Sequence, residues 1–106
     1  MTEVRLRPLA EDDLTAKTGY YREHAGHEVA ERFFDAAVDA LDTIGEWPDA
    51  GSPRIGEEIG VNALRTLSLE GFAVAWFYVV RPEYADVIRL LSWRQDVGGM
   101  LSELAD

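Results

Sequence analysis

The spacing of apolar positions changes along the chain, and each change predicts an element. Thr2-Glu3-Val4-Arg5-Leu6-Arg7 alternates polar and apolar residues, the two-residue period that sends Val4 and Leu6 to one face of a strand. Pro8 ends that strand. Because proline is accepted at the first helical position, it also opens a helix whose early acids Glu11, Asp12 and Asp13 lie at the positive end of the helix dipole. Leu9, Leu14, Thr18 and Tyr21 give this helix a modest apolar stripe up to His24, and Gly19 weakens it by about 1 kcal/mol relative to alanine. Ala25-Gly26 is a stop. A second helix from His27 carries Ala30, Phe33, Phe34, Ala37, Leu41 and Ile44 on one face, with Glu31, Asp35, Asp39 and Asp42 on the other. So short a connection makes the pair an antiparallel hairpin. Gly45 is expected to close the second helix, and Trp47 to Pro53 has the composition of a loop.

From Val61 onward the pattern is that of strands. Val61 to Leu69, Phe72 to Val80 and Ala85 to Trp93 are rich in branched and aromatic residues, separated by Glu70-Gly71 and by Arg81-Pro82-Glu83. The expected fold class is α+β in the order β-α-α-β-β-β, with the helical hairpin packed on one face of a small, mainly antiparallel sheet. Residues 1–106 are expected to form a single domain, with 97–106 a short C-terminal tail that contains Met100, Leu101 and Leu104. Phe72, Val74, Trp76 and Tyr78 point one way from the third strand while Ala73, Ala75, Phe77 and Val79 point the other, so both sheet faces are apolar. Helices on one side leave the second face to a docking partner or to the tail folded back on it.

Composition sharpens this picture. With 106 residues, 47% of them hydrophobic, the chain can close one core but not two. Twenty acids against ten bases give a net charge of -10, which argues against a general nucleic-acid binder without excluding a local basic patch. The charge is unevenly placed: residues 9–49 hold eleven acids and three bases, and residues 61–94 hold three acids and four bases. Cysteine is absent, which removes disulfides, thiol catalysis and thiolate metal sites. The first residues are charged from Glu3 onward and no long apolar run occurs, so neither a signal peptide nor a membrane span is expected, and a cytoplasmic protein is.

Candidate chemistry is sparse. His24 and His27 straddle the break at Gly26, so helical geometry does not align their imidazoles, and no further ligand is fixed by spacing. The acids of the second helix read as its wet face. Gly56 and Gly60 flank Glu57 and Glu58, which would repel phosphate. Neither a metal nor a cofactor is expected. Arg65, Arg81, Arg89 and Arg94 fall in or beside the strands and could form a cationic strip, or could pair with Glu70, Glu83 or Asp86 across strands. Tyr78 could serve as a base in principle, but an aromatic at alternating strand spacing more often belongs to a core or an interface.

The order of motifs resembles the ParE toxins of the RelE/ParE superfamily. Pro8-Leu9-Ala10-Glu11-Asp12-Asp13-Leu14 precedes a helix with Tyr20-Tyr21, and Ala30-Glu31-Arg32-Phe33 lies in the second helix, followed by Pro48 to Gly51. Leu64-Arg65, then Gly71-Phe72-Ala73-Val74-Ala75-Trp76-Phe77-Tyr78, then Val87-Ile88-Arg89-Leu90-Leu91 with Arg94 and Asp96, complete the match over roughly residues 3–97. The resemblance implies the toxin of a type II toxin-antitoxin pair, held inactive by a ParD-like antitoxin whose C-terminal segment wraps it. Toxins of the ParE kind are associated with poisoning of DNA gyrase, whereas RelE members cut messenger RNA on the ribosome. Ser92 stands where relatives often carry a histidine, and no catalytic constellation is evident, so protein binding is expected ahead of nuclease activity. A RelE-like ribosome-dependent endonuclease is the alternative, and a non-toxic regulatory module a second one. The residues expected to bind antitoxin or target are Arg65, Trp76, Tyr78, Arg89, Trp93 and Arg94. Neither sequence-specific nucleic-acid binding nor membrane binding is expected. An antitoxin helix crossing the acidic hairpin should be rich in Lys or Arg, and its encounter should slow as salt rises.

Overall fold

A computed structural model describes residues 1–92. Strand β1 (Glu3–Leu6) leads into helix α1 (Pro8–Ala25) and helix α2 (His27–Glu46). A single 3-10 turn (Pro48–Ala50) and a short helix α3 (Arg54–Ile59) precede strands β2 (Leu64–Ser68), β3 (Val74–Val80) and β4 (Tyr84–Ser92). The sheet order is β1-β4-β3-β2, with β1 parallel to β4 and the other pairs antiparallel. The α+β class and the hairpin-on-sheet arrangement therefore hold, with one added helix.

That helix has a steric cause. A side chain at Gly56 would come within 2.7 Å of the Val61 and Leu64 carbonyl oxygens, so glycine lets α3 press directly on the start of β2. Ala63, at φ 69°, ends the turn that follows, so β2 begins at Leu64 rather than at Val61. Gly45 likewise does not stop α2. It is buried inside the last turn because a Cβ there would meet the Thr2 carbonyl at 3.3 Å, and the Thr2 amide donates to the Gly45 carbonyl at 2.8 Å. Close contact between helix and first strand, and not a left-handed cap, is what this glycine provides.

The main core lies between helices and sheet. Phe33, Ala37 and Ile44 of α2 meet Val74, Trp76 and Tyr78 of β3 and Val87 and Leu90 of β4, all buried. Helix α1 contributes only Ala10 as a fully buried residue: of the expected stripe, Leu14 and Tyr21 pack half-buried against the core, whereas Leu9 is 45% exposed. Phe72 precedes β3 but still joins this core, with its ring 5.2 Å from those of Tyr21 and Phe33. On the opposite sheet face Leu64, Ala75, Phe77, Val79, Ile88 and Leu91 form a second buried cluster, against which Ile55 of α3 and Val61 pack. The second face is thus not an open apolar patch: Ala75, Phe77 and Leu91 have no solvent exposure. The tail, one of the two covers expected for this face, lies outside the described residues. Phe77 faces Arg89 while Tyr78 faces Val87, so Ile88 is the extra residue of a β-bulge in the middle of β4. Among the described residues no helix is long and apolar enough to cross a membrane.

Candidate functional site

Arg65 and Tyr78 are cross-strand neighbours on β2 and β3, and both reach the same loop. The Tyr78 hydroxyl donates to the Pro48 carbonyl at 2.6 Å and accepts from the Gly51 amide at 2.9 Å. The Arg65 guanidinium donates to the carbonyls of Asp49 at 3.1 Å and Gly51 at 2.7 Å, and its Nη2 lies 3.7 Å from the Asp49 carboxylate. Gly51 is required at this point because a Cβ would approach the Tyr78 oxygen to 2.5 Å. Burial pushes the Tyr78 hydroxyl above its ordinary pKa, more than the Gly51 amide and the Arg65 charge lower it. A phenol held neutral between a carbonyl and an amide is a strut, and the segment after α2 is fixed by it.

Trp76 is also fully buried, and its Nε1 donates to the Ala37 carbonyl of α2 at 3.0 Å. The indole needs a partner when buried, and this bond ties the middle strand to the middle of the helix. Of the residues expected to bind a partner, Trp76 and Tyr78 therefore sit in the interior and Arg65 is half-buried against its own loop. Arg89 is 8% exposed. Its guanidinium forms a two-pronged bond to Asp13 of α1, Nε to Oδ2 at 2.7 Å and Nη2 to Oδ1 at 3.0 Å, and Oδ2 also accepts from the Leu90 amide at 3.0 Å. Beyond the end of β1, Asp13 thus closes the edge of β4 that β1 does not reach. Trp93 and Arg94 lie outside the described residues. The structure does not gather Arg65 and Arg89 into one strip.

A second arginine group surrounds Asp86, opposite Arg5 in the β1–β4 register. Arg7 donates to both oxygens of Asp86 at 3.1 and 2.9 Å, and Arg81 donates twice to Oδ2 at 3.3 and 3.0 Å. Burial pushes the Asp86 carboxyl up, but the bonds and charges of Arg7 and Arg81 outweigh it and hold the group below the usual aspartate value. Arg5 pairs with Glu3 and lies 4.2 Å from the centre of the Tyr84 ring, a cation–π contact. Of the predicted cross-strand pairs, Asp86 is the acid used; the partner of Arg89 comes from a helix.

The hairpin differs. Glu31, Asp35, Asp39 and Asp42 are exposed on α2, as predicted, and His27 meets Glu31 at 2.8 Å in the open, 72% and 64% exposed. Phe34, expected in the apolar face, is instead 44% exposed, and Val38 beside it 37%. Adjacent residues on a helix point about 100° apart, so Phe33 and Phe34 could not both face the core. Between α1 and α2 an open groove of about 510 Å³ is lined by Leu14, Thr18, Arg22, His27, Phe34 and Asp35, among others. Trp47, at the C-terminal end of α2, is 69% exposed. Its only signal in the sequence is its place, a tryptophan just past an amphipathic helix in a segment of loop composition. Among the described residues no cluster of His, Asp and Glu could hold a metal ion.

Residues 4–97 match the family model described as the ParE toxin of the type II toxin-antitoxin system, parDE. Among solved structures, a chain titled as the chromosomal ParDE toxin-antitoxin system from P. aeruginosa is similar, with a TM-score of 0.74 and 22% identity. The match covers 87% of this chain and 96% of that one, a likeness of fold. No curated protein matches the chain in sequence. With the family model spanning β1 to beyond β4 and the fold agreeing, the chain belongs to the ParE toxin family of type II toxin-antitoxin systems.

Proposed function

We propose that this protein is a cytoplasmic toxin that acts by binding and not by catalysis: free, it inhibits DNA gyrase and arrests growth, and a ParD-like antitoxin neutralises it by tight association. The observation that carries this is the employment of the reactive side chains. A metal-free ribonuclease needs a base for the 2'-hydroxyl and free cations for the phosphate. Here the Tyr78 hydroxyl is held between Pro48 and Gly51, Arg65 is bound to two loop carbonyls, and Arg89 is locked on Asp13. Among the described residues, the outward face of the hairpin is predominantly acidic and carries Phe34, Val38 and Trp47, a surface suited to a protein partner more than to RNA.

The test is a supercoiling and cleavage assay with purified gyrase. Inhibition at near-stoichiometric toxin, relieved by the antitoxin, is expected. Unaffected gyrase at stoichiometric excess, with cut messenger RNA in translating ribosomes, would replace this reading by the endonuclease one.

A further inference from the structure

Trp47 is the bulkiest apolar side chain left in solvent among the described residues, and its backbone is fixed on both sides. Its amide donates to the Thr43 carbonyl at 2.7 Å, its carbonyl accepts from Ala50 at 2.9 Å, and the next carbonyl, that of Pro48, is held by Tyr78. An exposed indole on an immobilised backbone loses little entropy when a partner covers it, the property that makes tryptophan a frequent interface anchor.

Its electrostatic surroundings specify the partner's charge. The C-terminal end of α2 bears the negative end of the helix dipole, yet its last turn has no base and ends in Glu46, an arrangement unfavourable in the isolated chain. Asp42 lies one turn earlier and Asp49 three residues later, its side chain 89% exposed. The one base nearby, Arg65, stands 3.7 Å from Asp49 but gives its short bonds to the loop carbonyls. An exposed indole, a helix terminus whose last turn holds no base and three exposed carboxylates thus fall between Asp42 and Asp49 at one end of the hairpin. A lysine or arginine is the side chain that satisfies all of them, through cation–π contact with the indole and charge-assisted bonds to the acids. Arg5 over Tyr84 shows the same contact within this molecule.

We propose that this end of the hairpin docks a basic segment of the antitoxin, with one Lys or Arg laid over Trp47 and facing Glu46 and Asp49. The proposal rests on the reading that an antitoxin neutralises this chain. It is tested by calorimetric titration of the full-length antitoxin into the intact toxin and its variants. Trp47→Ala should weaken binding about tenfold or more, and Trp47→Leu, which keeps apolar area but no ring quadrupole, should still lose about fivefold. Trp47→Phe should fall between Trp47→Leu and the natural chain. Glu46→Gln with Asp49→Asn should weaken binding and flatten its salt dependence. Because the ring is exposed, melting temperatures and circular dichroism should not change.

If the natural chain binds and Trp47→Ala binds within twofold of it, this proposal falls alone. If Trp47→Leu binds as tightly as the natural chain, the site is an apolar contact and the cation is rejected. If the natural chain itself does not bind, the antitoxin reading falls and takes this proposal with it.

Discussion

On α2, Asp35, Asp39 and Asp42 stand in solvent with no ion pair among the described residues, whereas the less exposed arginines in and beside the strands are engaged: Arg65 with loop carbonyls, Arg81 with Asp86, Arg89 with Asp13. The two regions obey one rule at different depths. A charge that leaves water must be matched or its desolvation is not offset, so the half-buried sheet arginines are tied into the fold. A charge that stays in water needs no partner and is available to one. The described sheet arginines are thereby tied into the fold, and on the function proposed above the acids of the hairpin are the charge left for a partner.

Substitutions can break this comparison, beginning on the side where charge supports structure. Asp13→Ala removes both acceptors of the Arg89 fork and the acceptor of the Leu90 amide, and should cost about 3 kcal/mol in urea unfolding. A loss below about 1 kcal/mol would mean that the pair is no more than a surface one. Next comes the loop strut: Tyr78→Phe should cost about 1–2 kcal/mol, and Gly51→Ala about 1–3 kcal/mol by overpacking. Because the Gly51→Ala clash is with the Tyr78 oxygen, the double variant should lose less than the two single losses combined, which a double-mutant cycle reads directly.

Acid sharpens the comparison further. The folded-state pKa of Asp86 lies below its unfolded value, so its stabilisation is fully present above the unfolded value of about 4 and is lost as pH falls through the folded one. Thermal unfolding followed downward from pH 5 should show a steeper loss in the natural chain than in Asp86→Asn. The smallest effect belongs to the hairpin: Asp35→Asn with Asp39→Asn should change stability by no more than about 0.5 kcal/mol, toward a gain, since like charges four apart on a helix repel. The same variant should bind antitoxin with a weaker dependence on salt. A large stability loss there would end the distinction between available and structural charge.

Periodicity made the architecture legible where one face of an element differs from the other: α2, the alternating strands and the short hairpin connection all read directly. It failed where the cause is a contact between distant segments. Gly45 and Gly56 look like caps or loop residues locally, and only the approach of Thr2 and of Leu64 explains them. Helix α3, six residues long, has too little sequence to show a period, and it places Ile55 on a sheet face that otherwise seemed to lack a cover. Among candidate site residues, Trp76, Tyr78 and Arg89 were chosen by type and position. Whether an aromatic or an arginine faces a partner or a core depends on which carbonyl or carboxylate the fold brings within 3 Å of it. Ala37, Pro48 and Asp13 are 39, 30 and 76 residues distant from those three side chains, respectively.

The pairing of β1 with β4 sets a schedule. Glu3 to Leu6 find their sheet neighbours only in Tyr84 to Val87, while the α1–α2 hairpin is built from contacts close along the chain. During synthesis the hairpin can assemble early, but the sheet cannot close until its fourth strand has emerged, the slow and long-range step.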